Sequence, residues 1–446
     1  MSTSWRLALC AAMAGLVWVS VPAPEATRAG LALFVLIGSL WVTQALHLAV
    51  TALAVPLVAV LAGLMSPREA LASFAHPVIF LFLGGFALAA ALTRQGLDRA
   101  LATAVLRLAG GRMLPAVLLL AALTAVLSMW MSNTATAAMM MPLALGLLRG
   151  ENGAPAAGPR EHAFVLLALA YSASIGGIGT LVGSPPNAIA AAQTGIGFSQ
   201  WLSYGLPMAA LLWPLMLLVL FLLLRPRLGG GSTPAAEPLV WTRDRVVTIA
   251  IFGATTAGWV GGAPLARALG IAADIDTVVA LAAIVLLTAS GVLQWRDLEK
   301  QTQWSVLLLF GGGLALSAVM STTGGSNFLA QALLDATVGV PPLLMITGMV
   351  AFVVFLTELV SNTASTALLL PVFLPVAAAF GLPPMAMAAA IAVAASCAFM
   401  LPVATPPNAI VFATEKVPQA TMMRCGLVLN LVCIGSIAAM AMGAWQ

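Results

Sequence analysis

Apolar blocks of membrane length constrain this chain more than any other feature. Successive blocks of about 17–22 apolar residues follow one another, each long enough to cross a hydrocarbon core of ~30 Å as a helix. The blocks are continuously apolar instead of alternating, which excludes a membrane β-barrel. Only 7% of the residues are charged, against about 25% in soluble domains. The sequence therefore predicts an all-α polytopic membrane protein.

The blocks also predict the order of the membrane segments. A first helix is expected at 6–22, within an N-terminal segment, residues 1–26, that precedes the rest. A cleavable signal peptide is the alternative there, but Pro22 and Pro24 crowd the candidate cleavage position. Residues 225–243 contain Arg-Pro-Arg, three glycines and Ser-Thr-Pro, so they predict a cytoplasmic linker. The other membrane segments are expected at 28–46, 48–65, 77–93, 114–148, 162–194, 205–224, 245–262, 276–293, 304–321, 342–380, 385–413 and 421–443, with amphipathic segments at 97–109 and 326–337.

Three motifs occur twice in the same order, once on each side of the linker. Phe82–Ala89 matches Phe310–Ser317, and Ser128–Thr136 matches Thr357–Ser365. The third match aligns Gly183-Ser184-Pro185-Pro186-Asn187 with Ala404-Thr405-Pro406-Pro407-Asn408. Three matches in one order predict an internal duplication, with a first repeat at 27–224 and a second at 244–446.

Each repeat contains two interruptions of its apolar pattern. Ser-Asn-Thr at 132–134 and 361–363 interrupts the stretches 114–148 and 342–380, which predicts two hairpins with polar tips. The Pro-Pro pairs predict broken helices at 183–187 and 404–408, because proline removes a hydrogen-bond donor and clashes with the preceding turn. Exposed backbone at membrane depth is tolerated only where it is buried or lines a cavity. We therefore expect two tips and two broken helices to meet near the midplane.

The basic residues indicate the orientation. If the N-terminus is cytoplasmic and both hairpins are re-entrant, all 18 Lys and Arg residues except Arg28, Arg68 and Arg267 fall on the cytoplasmic side. This distribution follows the positive-inside rule. If the hairpins crossed the membrane, Arg149 and the basic linker would move outside. Re-entrant hairpins leave five spans in each half, so the second half is inverted relative to the first, as in secondary transporters.

The interrupted segments predict a site for an anion together with cations. Helix N-termini attract anions, and oxygen atoms of Ser, Thr, Asn and carbonyl groups suit Na⁺. Neither motif contains Arg, Lys or His, so a dianion would lack a fixed countercharge unless cations bind beside it. Binding of the dianion and binding of the cations would then be coupled, because each would favour the other.

Each polar residue also has a structural reading. One Ser-Asn-Thr in a membrane helix is usually interhelical hydrogen bonding, but two equivalent copies, each followed by Pro-Pro-Asn, favour a binding site. For Glu358, hydrogen-bonded support is favoured over proton transport, because its first-half counterpart is Met129. Asn187 and Asn408 are either ligands or caps of the broken half-helices, and the sequence leaves both readings open.

The paired Ser-Asn-Thr tips and the Gly-Ser-Pro-Pro-Asn and Ala-Thr-Pro-Pro-Asn segments resemble the divalent-anion/Na⁺ symporter family over essentially the whole chain. The resemblance implies eleven spanning helices, two re-entrant hairpins, a homodimer and an elevator motion. It implies at least two Na⁺ sites, one formed by Ser128, Ser132, Asn133 and Gly183 and one formed by Thr357, Ser361, Asn362 and Ala404. It implies substrate contacts from Asn133, Thr134, Ser184, Asn362, Thr363, Thr405 and Pro406.

The resulting expectation is a secondary transporter, and not an enzyme, in a bacterial inner membrane. It would carry out Na⁺-coupled symport of a C4-dicarboxylate such as succinate. Its partners would be the dianionic substrate, Na⁺, the lipid bilayer and a second copy of the chain, with no nucleic acid. The alternatives are a Na⁺-independent dicarboxylate exchanger, a Na⁺/sulfate symporter and, from another class of protein, an anion channel.

Overall fold

The computed structural model describes residues 3–148, 157–228, 240–270, 274–377 and 382–445. These residues form α-helices and one 3₁₀ turn, Ser73–Ala75, with no strand among them, which confirms the all-α fold. Arg149, residues 229–239 of the predicted linker and residues 378–380 of the second predicted hairpin lie outside the described residues.

Eleven helices precede the linker within the described residues. In chain order they are α1 (Thr3–Ser20), α2 (Glu25–Thr43), α3 (Leu48–Leu61), α4 (Pro67–Ala72), α5 (Pro77–Arg94), α6 (Leu97–Arg107), α7 (Met113–Ser128), α8 (Asn133–Leu147), α9 (Pro159–Gly177), α10 (Pro185–Thr194) and α11 (Phe198–Leu224).

The helices that follow the linker repeat the order of α2–α11, with one additional short helix, α13. They are α12 (Arg243–Val260), α13 (Gly262–Leu269), α14 (Ile275–Ala289), α15 (Trp295–Gln301), α16 (Trp304–Thr322), α17 (Gly325–Ala336), α18 (Pro342–Thr357), α19 (Asn362–Ala377), α20 (Pro384–Ser396), α21 (Pro406–Phe412) and α22 (Gln419–Met442).

Many of these helices can cross a membrane. Within the described residues, six helical stretches are long and apolar enough by themselves, and α3, α7, α14, α18, α19 and α20 are shorter apolar helices. With α7–α8 and α18–α19 taken as hairpins and each broken helix counted once, eleven spans result. They are α1, α2, α3, α5, α9–α10, α11, α12, α14, α16, α20–α21 and α22.

The packing of the two halves is reciprocal. Helix α5 of the first half corresponds to α16 of the second, and α3 corresponds to α14. Helix α5 packs on α14, and α16 packs on α3. Helix α10 packs on α20 and α19, while α21 packs on α9 and α8. This exchange of partners fits two inverted repeats related by a pseudo-two-fold rotation. The exact repeat boundaries, 27–224 and 244–446, stay a prediction.

Helices α9 and α20 form the centre of the molecule. Every residue of Ala163–Gly177 in α9 and of Ala386–Ser396 in α20 is buried. A helix that is buried all round must be apolar or small on every face, and both sequences consist mainly of Ala, Leu, Val and Ile. Helix α9 ends at Gly177 and α20 ends at Ser396, where the two helix breaks begin.

The helix breaks differ in position from the prediction. The non-helical residues are 178–184 and 397–405, whereas the sequence placed the breaks at 183–187 and 404–408. Pro185 and Pro406 occupy the first position of a new half-helix, where the missing N–H and the fixed φ of proline are favourable. The prolines therefore start the second half-helix, and the interruption precedes them.

The short helices α4, α13 and α15 were not predicted. Each lies in a connection between longer helices, and six to eight residues carry too little periodicity to be recognised from hydrophobic pattern alone. Helix α4 begins with a capping box, in which Ser66 accepts from Glu69 N and the Glu69 carboxylate accepts from Ser66 N. That Ser-x-x-Glu pattern is a recognisable helix start.

Candidate functional site

A cavity of about 340 Å³ lies where the two hairpin tips and the two helix breaks meet. All seven residues predicted to contact substrate line it: Asn133, Thr134, Ser184, Asn362, Thr363, Thr405 and Pro406. Of the residues predicted to bind cations, Ser132, Gly183, Ser361 and Ala404 also line it, together with Asn133 and Asn362. Ser128 and Thr357 do not line the cavity, but are buried behind it.

The first hairpin tip is shaped by a helix cap. Helix α7 ends at Ser128 and α8 starts at Asn133. The Ser132 hydroxyl accepts from Ala135 N at 3.2 Å, which caps α8. Ser-Asn-Thr is therefore the cap and first turn of a helix, and the non-helical tip is residues 129–132. The second tip, residues 358–361, likewise separates the end of α18 at Thr357 from the start of α19 at Asn362.

Several oxygen atoms converge behind the first tip. Ser128 Oγ lies 2.7 Å from Asn133 Oδ1 and 2.6 Å from the carbonyl oxygen of Ala173. One hydroxyl proton cannot satisfy both acceptors. With the Asn133 amide turned over, its nitrogen would instead donate to Ser128 Oγ, to Ala173 O and to Gly183 O, the last at 3.2 Å. This cluster of neutral oxygen ligands suits a hard cation such as Na⁺.

The second tip repeats the same geometry. Thr357 Oγ1 lies 2.8 Å from Asn362 Oδ1 and 2.9 Å from the carbonyl oxygen of Ala395. The hydroxyl group again faces two acceptors with one proton. The carbonyl groups of Ala173 and Ala395 were not predicted, because a backbone ligand leaves no signature in the sequence.

The close approach at the first break requires glycine. A Cβ at Gly183 would lie 2.6 Å from Gly177 O and 3.0 Å from Ser128 O, closer than van der Waals contact permits. The second half has Ala404 at the matching position, so the two oxygen clusters are similar but not identical.

Glu358 supports the second tip, which confirms the hydrogen-bonded role predicted for it. The buried carboxylate accepts from the backbone N–H groups of Phe399, Met400 and Leu401 at 2.8–3.0 Å and from Asn430 Nδ2 at 2.8 Å. In the first half the corresponding link is uncharged, with the Thr180 hydroxyl donating to Met129 O. Glu358 thus ties the second tip to the α20–α21 break.

Asn187 and Asn408 hold the helix breaks. Asn187 Nδ2 donates to the carbonyl oxygens of Gly177, Ile178 and Thr180 at 2.7–3.3 Å. Asn408 Nδ2 donates to Ala398 O and Leu401 O, both at 3.1 Å. Both side chains are buried and neither lines the cavity. Of the two readings left open by the sequence, these contacts favour support of the backbone.

The opposite wall of the cavity comes from the other helices and was not predicted. It contains Leu48 on α3, Phe82 and Phe86 on α5, and two glutamines, Gln44 and Gln303. Gln44 follows α2 with φ of 49°, a left-handed conformation uncommon for residues other than glycine. Neither glutamine side chain has a hydrogen-bond partner in the described part of the chain. The sequence signal that could have identified them is a single Gln next to an apolar block, as at Gln44 and Gln303.

The cavity is electrically neutral but surrounded by oriented dipoles. No Asp, Glu, Lys, Arg or His is among the described residues that line it. The first residues of α8, α10 and α19, helices of 15, 10 and 16 residues, do line it. The N–H groups at the starts of α8 and α19 and the partial positive charge of all three helix starts favour an anion, whereas Pro185 and Pro186 of α10 have no N–H to donate. The site thus combines helix starts that favour an anion with oxygen clusters of a kind that suits cations.

Comparisons with known proteins agree with this geometry. The sequence matches the family model described as citrate transporter over residues 39–372 and 277–445. An uncharacterized transporter of Haemophilus influenzae is 46% identical over 95% of this chain and 93% of that protein. The sodium-dependent dicarboxylate transporter SdcS of Staphylococcus saprophyticus is 33% identical over 91% of this chain and 83% of that protein.

A solved structure shares the fold. The YdaH transporter of Alcanivorax borkumensis superposes with a TM-score of 0.55 at 16% identity, over 84% of this chain and 87% of that one. These findings confirm the resemblance to divalent-anion/Na⁺ symporters. The chain therefore belongs to the citrate transporter family and is a membrane transporter rather than an enzyme.

Proposed function

We propose that this protein carries out Na⁺-coupled symport of a C4-dicarboxylate such as succinate. The observation that carries the proposal is the uncharged cavity between duplicated Ser-Asn-Thr tips, with an oxygen cluster behind each tip. Its volume of about 340 Å³ lies at the small end of the ~300–1,000 Å³ range of ligand pockets. A small dianion suits a cavity of this size.

The substrate contacts follow from the duplication. One carboxylate would be held by Asn133, Thr134 and Ser184 in the first half. The other would be held by Asn362, Thr363, Thr405 and Pro406 in the second half. All of these residues line the cavity, and the two sets lie at equivalent helix starts in the two halves.

The two oxygen clusters would hold Na⁺. The first site would comprise Ser128, Ser132, Asn133 and Gly183, with the Ala173 carbonyl as a further ligand. The second would comprise Thr357, Ser361, Asn362 and Ala404, with the Ala395 carbonyl. When no cation is bound, rotation of the Asn133 amide would let its nitrogen satisfy the surrounding oxygens.

Charge balance would couple the two ligands. Moving a dianion from water into an uncharged cavity costs free energy unless countercharge is present. Two cations behind the tips would offset this cost, so substrate affinity would rise with Na⁺ concentration and Na⁺ affinity with substrate concentration.

The transport step would be an elevator motion in a bacterial inner membrane, with a cytoplasmic N-terminus. The central helices α7–α11 and α18–α22 would move against α2–α5 and α12–α16. In this orientation Gln44 and Gln303 lie at the cytoplasmic ends of their helices, so the cavity opens inward. A homodimer would anchor the static helices. Helix α5 packs on α14 and α16 packs on α3, and these contacts would hold the static helices of the two halves together.

The relative SdcS is named a sodium-dependent dicarboxylate transporter, and this supports a dicarboxylate as the substrate and Na⁺ as the coupling ion. The alternatives remain a Na⁺-independent dicarboxylate exchanger, a Na⁺/sulfate symporter and an anion channel. The cavity favours a carrier over a channel, because it is closed on one side by the paired tips.

The test is uptake of labelled succinate into proteoliposomes, with and without an inward Na⁺ gradient and with sulfate or citrate as competitors. We expect Na⁺-driven uptake that Asn133→Ala or Asn362→Ala abolishes. Asn327→Ala, at an exposed position of α17 away from the cavity, is the matched control and should transport normally. Flux that needs internal dicarboxylate and ignores Na⁺ would indicate an exchanger. Normal transport by both cavity variants would refute the site.

A further inference from the structure

A second cavity, outside the central site, lies at the end of α5. Its volume is about 470 Å³, and three arginines from two parts of the chain face it: Arg94 and Arg99 around the α5–α6 connection, and Arg245 in the first turn of α12. Under the proposed orientation this is the cytoplasmic side. Positive-inside residues normally project separately into water, whereas these three converge on one space.

Two of the arginines are held in place by the protein. Arg245 Nε donates to Gln95 O at 3.0 Å and its Nη1 donates to Val240 O at 2.6 Å. Arg94 forms an ion pair with Asp297. Each guanidinium has five N–H donors, so both keep donors beyond those contacts. The exposed Arg99 guanidinium has no hydrogen-bond partner in the described part of the chain.

The acidic residues near this cavity do not cancel its positive charge. Asp297 is engaged with Arg94. Asp98 is 3% exposed and accepts from the backbone N–H of Arg99 at 2.8 Å. Burial raises the pKa of the Asp98 carboxyl, while the hydrogen bonds from Arg99 N and the Thr93 side chain and the positive charge of Arg99 oppose that shift. Three guanidinium groups therefore stand against the two carboxylates of Asp98 and Asp297, so the cavity keeps a net positive charge. The Asp98 carboxylate also accepts from the backbone N–H of Arg99.

The wall opposite the arginines is apolar. Met131 of the first tip and Ala135 and Met139 of α8 line it, and the spacing of four places Ala135 and Met139 on one face of that helix. The surroundings also indicate a lipid interface, since Leu101 on α6 is 45% exposed and Trp241 before α12 is 62% exposed. A basic wall facing an apolar wall at such an interface matches an amphiphile with an anionic head.

We propose that this cavity binds the phosphate headgroup of an anionic phospholipid from the cytoplasmic leaflet. Arg99 and Arg245 contact the phosphate, and an acyl chain lies along Met131 and Met139. The lipid bridges the first hairpin and the α5–α6 connection. This site is independent of the central cavity and depends only on the proposed orientation.

The experiment is native mass spectrometry of the delipidated protein titrated with phosphatidylglycerol, with phosphatidylcholine as the neutral comparison. We expect one phosphatidylglycerol to bind in preference to phosphatidylcholine. Arg99→Gln should weaken this binding about tenfold, the effect of losing one charge-assisted hydrogen bond. Arg243→Gln, on the same side but outside the cavity, is the matched control and should leave binding unchanged.

The outcomes separate the possible ligands. Equal binding of the two lipids, or unchanged binding by Arg99→Gln, would overturn the proposal. Displacement of phosphatidylglycerol by millimolar inorganic phosphate would also overturn it, because the site would then recognise a soluble anion. Arg99 is exposed, so Arg99→Gln should fold, and its melting temperature checks this. Succinate is absent throughout, so the result does not depend on the transport proposal.

Discussion

Glu358 shows how one buried side chain can fix the shape of the site. It is 4% exposed and accepts four hydrogen bonds, three of them from backbone N–H groups that the α20–α21 break would otherwise leave without partners. Thr357, beside it in the chain, belongs to the second oxygen cluster. The carboxylate therefore positions that cluster without lining the cavity.

Replacement of Glu358 is expected to damage both stability and transport. Glu358→Ala leaves four donors without their acceptor, and each of the two buried ones, Phe399 N and Asn430 Nδ2, costs about 1–3 kcal/mol. Glu358→Gln keeps one acceptor oxygen and should be intermediate. The measurements are the melting temperature in detergent and succinate uptake, with the exposed Glu299→Gln as control. A wild-type melting temperature for Glu358→Ala would contradict this role.

Residue by residue, the sequence predicted which residues line the cavity where side chains repeat between the halves, and missed those that do not repeat; their binding roles stay a prediction. The paired Ser-Asn-Thr and Pro-Pro-Asn segments identified every predicted contact that lines the cavity. Ala173 and Ala395 contribute only backbone carbonyls, and Gln44 and Gln303 reach the cavity through tertiary packing. A local sequence pattern predicts neither a backbone carbonyl contact nor a contact made through tertiary packing.

At the scale of elements, the first hairpin depends on its close packing against α9. A Cβ at Gly176 would lie 2.5 Å from Ala125 Cα and 2.6 Å from its carbonyl carbon. Backbone atoms cannot move aside as a flexible side chain can. Small residues at such helix contacts allow backbones to approach closely in membranes.

Gly176→Ala should therefore separate α7 from α9 and distort the first oxygen cluster. We expect a destabilisation of about 1–3 kcal/mol from overpacking, seen as a lower melting temperature together with lost succinate uptake. Gly348→Ala on α18 is the control, because a Cβ there meets nothing within 4 Å. That control should be neutral or slightly stabilising. Equal behaviour of the two variants would show that the contact is unimportant.

The long helices were predictable because membrane length and continuous apolarity define them. The start of each second half-helix was also predictable from its Pro-Pro pair. The preceding end of α9 at Gly177 was not, because residues 178–182 are still mostly apolar or glycine. The carbonyl groups exposed there are satisfied by Asn187, ten residues further along the chain. A local pattern does not reveal such a partner.

At the scale of the whole molecule, the cavity has two different walls. The tips and breaks form one wall, and α3, α5, Gln44 and Gln303 form the other. In the proposed orientation the second wall opens to the cytoplasm. The four cysteines Cys10, Cys397, Cys425 and Cys433 are all buried, so an introduced cysteine can be labelled against a low background.

Gln44→Cys should react with a membrane-impermeant thiol reagent in inside-out vesicles and not in intact cells. Val338→Cys, 82% exposed between α17 and α18, should show the opposite pattern, because the proposed topology places it outside. Labelling is read as the fraction of protein modified on each side. The reverse pattern for the pair would refute the orientation.

The central claim is that cations complete an uncharged anion site, and equilibrium binding tests it most directly. Labelled succinate is titrated onto purified protein in Na⁺ and in an equal concentration of choline. The account predicts a succinate Kd that falls steeply as Na⁺ rises, with almost no binding in choline. The same Kd in both salts would contradict it, because the neutral cavity would then hold the dianion without added countercharge.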